Sequence, residues 1–414
     1  MTSKFEKKFL EKLIIKNSQN KSSSKSKYAL VGKAFNTEDM VACADVLIKG
    51  RITMSEVTKK FEREFAKYLG VKYAVMVNSG SSANLLAFFS SVNPKNKKKL
   101  KPGDECILPA ICWSTSLWPI VQAGLIPKFV DVDLNTFNMN LKDLEKKITK
   151  KTKAVLAVHV LGNSTNMDKL KNIVNKNRLT LIEDTCESPG SKYGSKYLGT
   201  FGKYGTFSFY VSHHISSGEG GMVVCNNYND YKIAHSLRAH GWDRGLSRKK
   251  NNNFNFINSG FNLRPLDLNA AIGYSQFKRL NRIINIRTKN RKKIINSLKN
   301  SSLWKNQLSF LEPIKKLRPS WFGLPILINK KFLKNKKRYL KYLNKKGIET
   351  RPIISGNFLN QPCIKLYKLN KKGGQFKNAQ EIEDRGFFIG LHNENISPKE
   401  VKFLTNNLLR INQI

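Results

Sequence analysis

Three short stretches carry residue types that could do chemistry together. In "NSGSSANLL", residues 78–86, a strand ends at Val77 and a Gly/Ser turn runs into a helix. The backbone N–H groups of Gly80, Ser81 and Ser82 could cradle a phosphate there. The same pattern also serves as a plain helix N-cap. In "TLIEDTCES", residues 180–188, Asp184 closes a hydrophobic strand. A carboxylate at that end of an α/β sheet can hold a ring nitrogen protonated and make a heteroaromatic cofactor a better electron sink. The alternative is that it caps the next helix. In "GTFSFYVSHHISSGEGG", residues 205–221, Ser208 offers a second phosphate hydrogen bond, and five residues later comes His213. A histidine with an ordinary pKa near neutrality is a proton carrier when it lies in a crevice, and more often a structural residue. Glycines 218, 220 and 221 allow a tight turn back into the sheet.

Two later segments add cations. "LRAHGWDRG" presents His240 and Arg244, and "GFNLRPLDLNAAIG" presents Asn262 and Arg264. Arginine forks suit carboxylate or phosphate groups, although simple surface solvation explains either one alone.

These residues need a scaffold, and the chain alternates strand-like and helix-like segments from about residue 70. "YAVMVNSG", "ECILPA", "IPKFVDVD", "AVLAVHVLG", "LTLIEDT", "YGTFSFY" and "GGMVVCN" are short apolar runs followed by turn residues. Amphipathic stretches such as "NMDKLKNIVNKN" lie between them. That order predicts an α/β domain built on a mostly parallel sheet, over residues 37–275. A long helix from about 275 then leads into a smaller α+β domain, so that 276–414 form linker helix and small domain. Residues 1–36 read as a basic, flexible extension.

Composition narrows the function classes. The 414 residues are 40% hydrophobic, with 74 Lys and Arg against 29 Asp and Glu and a formal charge of +45. A charge of that size raises the reading of a non-catalytic basic binding protein on nucleic acid. The lysines, however, are scattered along the whole chain among Asn and Ile, which fits compositional drift and argues against a nucleic-acid partner. No run of eighteen apolar residues predicts a membrane span, and no secretory pattern opens the chain. A cytoplasmic protein is expected. The six cysteines, at 43, 106, 112, 186, 225 and 363, show no paired metal-ligand spacing. No metal site is expected.

Taken in order, "YAVMVNSGSSANLL", "CWSTSLWP", "EDTCES", "SFYVSHHI", "EGG", "RAHGWDR", "FNLRPLD", "SWFG" and "GIETRPIISGNF" resemble the DegT/DnrJ/EryC1/StrS sugar aminotransferase family. The resemblance runs from about Arg51 to the C-terminus. It implies a fold-type I transferase of the aspartate aminotransferase kind that uses pyridoxal 5'-phosphate and pyridoxamine 5'-phosphate. In that family the lysine that tethers the cofactor stands where this chain has His213. A histidine there marks the 3-dehydratase branch, which removes the C3 hydroxyl of nucleotide-linked 4-keto-6-deoxy hexoses in deoxysugar and O-antigen lipopolysaccharide biosynthesis. A related branch with an iron–sulfur cluster carries cysteines after the segment matching "RAHGWDR", and residues 240–265 contain none. L-Glutamate is then the amino donor.

The resemblance also implies roles. Gly80, Ser81, Ser82 and Ser208 contact the cofactor or its phosphate, Trp113 stacks on the pyridine ring, Asp184 pairs with its nitrogen, and Glu187 lies beside it. Asn262 reaches the cofactor phosphate of a neighbouring subunit, which implies a homodimer. His240 and Arg264 hold glutamate. Arg244, Glu349 and the stretch Arg51, Ile52, Thr53 and Met54 contact the nucleotide sugar. His213 and Asp184 are the catalytic pair. A nucleotide-sugar aminotransferase of the same family, tethering its cofactor through Lys203 or Lys192, is the alternative.

Overall fold

The computed structural model describes residues 4–18, 26–32, 34–246, 254–370 and 374–413. Each of the seven apolar runs forms a strand of one sheet: β1 (Tyr73–Val77), β2 (Glu105–Pro109), β3 (Ile126–Val130), β4 (Thr152–Val158), β5 (Thr180–Asp184), β6 (Tyr204–Ser208) and β7 (Gly221–Cys225). Their order is β1-β7-β6-β5-β4-β2-β3. β7 is antiparallel to both of its neighbours, and the remaining pairings are parallel. Six strands therefore point one way, and their carboxyl ends line a single edge of the sheet. β4 to β7 are almost wholly buried, as expected for strands covered on both faces.

The helix Gly80–Val92 starts sharply because Ser79 caps it, accepting the Ser82 N–H at 3.1 Å. The helix Glu56–Leu69 ends at Gly70 in the left-handed conformation (φ 71°). Its first turn is capped from far along the chain: buried Asp267 accepts the N–H groups of Ser55, Val57 and Thr58. That carboxylate fixes residues 51–54 against 264–267, where Thr53 bridges Leu266 and the Asp267 N–H donates to the Ile52 carbonyl.

The long helix expected from about residue 275 is two helices, Asp267–Phe277 and Leu280–Lys299, separated by a turn at Lys278 and Arg279. The expected division at 275/276 thus falls inside the first of them. Beyond lies a second, antiparallel sheet in the order β8 (Leu308–Phe310), β9 (Gly323–Ile328), β10 (Gly386–Gly390).

The N-terminal extension needs a correction. Residues 4–18 form a helix, and 26–32 are not free: they lie as a strap on the C-terminal part of the chain. Tyr28 is 1% exposed. It exchanges main-chain hydrogen bonds with Gly347 (2.8 Å) and Glu349 (3.0 Å), donates its hydroxyl to the Gly390 carbonyl (3.1 Å), and stacks on His392 at 4.3 Å. Residues 1–3, 19–25 and 33 of that extension lie outside the described residues.

Candidate active site

The carboxyl edge of the sheet brings Gly80, Asp184 and Ser208 together. Gly80 packs so closely on β6 that a Cβ there would stand 2.5 Å from Ser208 Cβ and 2.8 Å from its Oγ. Gly221, opening β7, approaches from below, where a Cβ would come within 2.3 Å of the Ser79 carbonyl oxygen. Two glycines thus let the helix N-terminus sit directly on the strand ends. Ser82 turns out to differ from its neighbours, because its N–H is already taken by Ser79. The amides of Gly80 and Ser81 are the ones left to face an anion, and the Ser208 hydroxyl lies beside them.

Asp184 is buried and held from three directions. Its Oδ2 accepts from Asn84 Nδ2 at 2.8 Å and from Ser116 Oγ at 2.7 Å, and its Oδ1 from the Cys186 N–H at 3.2 Å. The last bond closes a local turn, and because no helix starts between Asp184 and β6 the reading of Asp184 as a helix cap does not hold. The other two come from different helices and serve only to aim the carboxylate. Asn84 in turn accepts from Thr206 Oγ1 at 2.6 Å, which ties the acid on β5 to β6. Asn84, Ser116 and Thr206 escape the sequence reading. The signal for Asn84 is a buried amide inside the apolar run "ANLLAFF".

Glu187 follows at the same edge and accepts the N–H of Leu161, a residue held at a left-handed φ of 52°. Burial pushes the Glu187 carboxyl up to about 7, the Leu161 hydrogen bond opposes that, and the neighbouring Asp184 charge adds to it. Trp113 stands where the chain leaves β2 and enters the helix Ser114–Gln122. It is 57% exposed, an open indole face at the cap of the helix that supplies Ser116.

His213 follows β6 in a turn closed by its N–H on the Tyr210 carbonyl (2.9 Å). The rings of Tyr210 and Phe322 meet it edge-on, at 6.0 and 5.0 Å. Burial, with the nearby Arg287 charge, pushes its imidazole down to about 3, so the ring is neutral at neutral pH. His214 is fully buried, and neither ring nitrogen meets a partner in hydrogen-bond geometry, although the Ser320 and Trp321 main chain lies close. The lysines weighed as alternative tethers are engaged elsewhere. Lys203 precedes β6, at the opposite edge of the sheet from Ser208, and bonds Asn96 (2.9 Å) and Asp230 (3.4 Å). Lys192 lies over the Tyr197 ring.

Of the remaining expected residues, Asn262 and Arg264 flank Leu263, whose carbonyl accepts the Asn78 N–H at 3.0 Å beside the cradle. His240, Arg244, Asn262 and Arg264 are exposed. Arg264 Nε donates to Asn262 Oδ1 at 3.0 Å, and Arg244 lies over the Trp242 ring. Arg51, Ile52 and Thr53 are exposed and Met54 half-buried, on the segment bridged to Leu266. Glu349 spends one carboxylate oxygen on the strap, accepting the Leu30 N–H at 3.0 Å.

Six co-directional strands with one reversed neighbour, an aimed acid closing β5 and a glycine–serine cradle beside β6 define a fold-type I pyridoxal-phosphate transferase. The chain belongs to the DegT/DnrJ/EryC1/StrS aminotransferase family, whose model matches residues 33–408. It is similar to the GDP-4-keto-6-deoxy-D-mannose 3-dehydratase of Escherichia coli O55:H7, at 39% identity over 376 residues, 88% of this chain and 95% of that protein. It also resembles the solved E. coli GDP-4-keto-6-deoxy-D-mannose-3-dehydratase with bound hydrated PLP, with a TM-score of 0.84 at 37% identity, over 92% of this chain and 99% of that one. A structure of GDP-4-keto-6-deoxymannose-3-dehydratase with a trapped PLP-glutamate geminal diamine matches with a TM-score of 0.85 at 37% identity, over 92% and 100% of the two chains.

Proposed function

We propose that this chain is a pyridoxal-phosphate- and glutamate-dependent 3-dehydratase that removes the C3 hydroxyl of a GDP-linked 4-keto-6-deoxy hexose, for deoxysugar and lipopolysaccharide O-antigen synthesis. The observation that carries it is His213. A neutral histidine stands after β6 where the family's aminotransferases need a lysine, and the two candidate replacement lysines are held away from that place.

The residues present fit the cofactor. The Gly80 and Ser81 amides and the Ser208 hydroxyl would hold its phosphate, since the missing Cβ of Gly80 lets the helix N-terminus close on Ser208. Asp184 would take the ring nitrogen and Trp113 one ring face. Bound there in its amine form, the cofactor would supply an amino group for the C4 ketone and an electron sink in its ring. Asp184, oriented by Asn84 and Ser116, keeps that ring nitrogen protonated. His213 accepts the proton from the carbon bearing the amino group while hydroxide leaves from C3 of the sugar. A histidine can do this repeatedly because it does not compete for the cofactor's carbonyl carbon, as a lysine would. Glu187, with its carboxyl near neutrality, holds a proton beside the ring.

The exposed group His240, Arg244, Asn262 and Arg264 supports a homodimer in which each chain completes its partner's site. Asn262 would reach the partner's cofactor phosphate, and His240 and Arg264 would bind glutamate. Arg244, Glu349 and residues 51–54 would bind the nucleotide sugar. Incubation with pyridoxal phosphate, L-glutamate and GDP-4-keto-6-deoxymannose tests the reaction by mass spectrometry of the sugar. Loss of the C3 oxygen with release of ammonia is expected, and a stable C4 amino sugar would overturn it.

A further inference from the structure

His213 lacks the partner that commonly fixes a catalytic imidazole. No carboxylate reaches it among the described residues, and Ser212 Oγ stands 3.5 Å from Nδ1, the limit of a hydrogen bond. What holds the ring is aromatic, Tyr210 on one side and Phe322 on the other. Phe322 also lies 6.0 Å from the His214 ring.

The segment bearing Phe322 is itself anchored. Arg287, on the helix Leu280–Lys299, is 3% exposed. It donates to the main-chain carbonyl of Phe322 at 3.1 Å, to that of Trp321 at 3.4 Å, and through Nε to Asn393 Oδ1 at 2.8 Å. No carboxylate pairs with it among the described residues, and burial lowers its own pKa to about 10. A buried guanidinium satisfied only by neutral acceptors is costly, and a methionine or leucine would fill that helix face without the penalty. The arrangement calls for a reason beyond packing.

We propose that Arg287 is a positioning residue for His213, acting through the Trp321–Phe322 main chain to fix the aromatic wall against which the imidazole stands. The inference rests on the reading of His213 as the base. A second effect comes with the first, because a buried positive charge disfavours another cation nearby. The titratable groups gathered there are Arg287, His213, His214, Tyr210 and the Tyr28 hydroxyl, with no carboxylate among them. Burial first, and this charge in addition, keep both histidines in the form that accepts a proton.

Three variants, Arg287→Met, Arg287→Lys and Phe322→Leu, test this with steady-state kinetics and NMR of ¹³C-labelled histidine in the full-length protein without added cofactor. The His213 signal is assigned by its loss in His213→Asn. In Arg287→Met, kcat should fall about tenfold or more while KM for the sugar stays within about twofold, and the His213 ring should titrate at distinctly higher pH than in the wild type. Arg287→Lys should restore the titration, because it restores the charge, but only part of kcat, because it lacks the fork. Phe322→Leu should lower kcat with little movement of the titration, and it carries the test if Arg287→Met does not fold. Wild-type kcat in Phe322→Leu, or an Arg287→Met protein with unchanged kcat and an unmoved His213 titration, would overturn the proposal. The NMR result is independent of the sugar: a shifted titration alongside a wild type that dehydrates nothing would sink the functional reading and leave Arg287's hold on His213 standing.

Discussion

Gly80→Ala is the sharpest test of the cofactor cradle. The added methyl would lie 2.5 Å from Ser208 Cβ and 3.1 Å from Ser208 Cα, against the 3.5–4.0 Å that carbon atoms prefer. The main chain of β6 cannot swing aside, since its residues are buried and paired on both sides by β5 and β7. The first turn of the helix Gly80–Val92 must therefore lift by about 1 Å. Such overpacking costs about 1–3 kcal/mol of stability. It also pulls two amides away from the phosphate, and hydrogen bonds to a charged group are worth about 1.5–3 kcal/mol each. Partial loss of both corresponds to roughly a 10- to 100-fold weaker cofactor. Titration of the protein with pyridoxamine phosphate, followed by quenching of tryptophan fluorescence, reads the affinity, and urea unfolding reads the stability separately. A variant that loses stability as expected but binds the cofactor within twofold of wild type would show that the phosphate sits elsewhere.

Other expectations follow from the same geometry. His213→Asn should bind cofactor as the wild type does, by absorbance titration, and lose about a hundred- to ten-thousandfold in kcat, the usual contribution of a general base; a loss under tenfold would remove it from that role. Asn84→Leu deletes the amide donor to buried Asp184 and the acceptor for Thr206. Removing one partner of a buried hydrogen bond costs about 1–3 kcal/mol, and a urea-measured loss below about 1 kcal/mol would contradict the aiming role. Acid should destabilise the fold early. His213, His214 and His235 are all held below the ordinary histidine value, chiefly by burial. The unfolded chain therefore binds more protons once pH falls below about 6.5, and stability drops by up to about 1.4 kcal/mol per pH unit for each such histidine. Urea midpoints that are flat between pH 7 and 5 would refute this.

The fold was legible because the strands are short, apolar and punctuated by turns, and all seven runs read from the sequence are strands of the large sheet. The long helix was misread because its apolar stripe continues through Lys278 and Arg279, where only hydrogen bonding reveals the break. Gly80, Asp184, Ser208 and His213 lie next to turn signals that single them out in the sequence, and the family resemblance is what gives them their expected roles. Those that aim them are not singled out. Asn84, Ser116 and Thr206 are ordinary polar residues until the chain folds and puts them within 3 Å of a neighbour from another element. Arg287 looks in sequence like one more cation among many. Its meaning comes from burial, which a period of 3.6 does not distinguish from a solvated face. The strap was read as a tail because seven short residues carry no periodicity, and Tyr28 gains its burial from partners more than 300 residues away.

That separation has a consequence for how the protein is made. Tyr28 bonds Gly390 across 362 residues, Leu30 bonds Glu349 across 319, and Ala29 accepts from His392 across 363. At about 5–20 residues per second, roughly 20–70 s pass on the ribosome between synthesis of the strap and synthesis of the surface it covers. During that interval Tyr28 has no native seat, and the large sheet can form without it. Closure must wait for the strand β10, so the strap finds its full seat only after residues 386–392 have been made. A nascent chain arrested before Gly386 would leave its strap open to proteases, whereas the released protein would shield it.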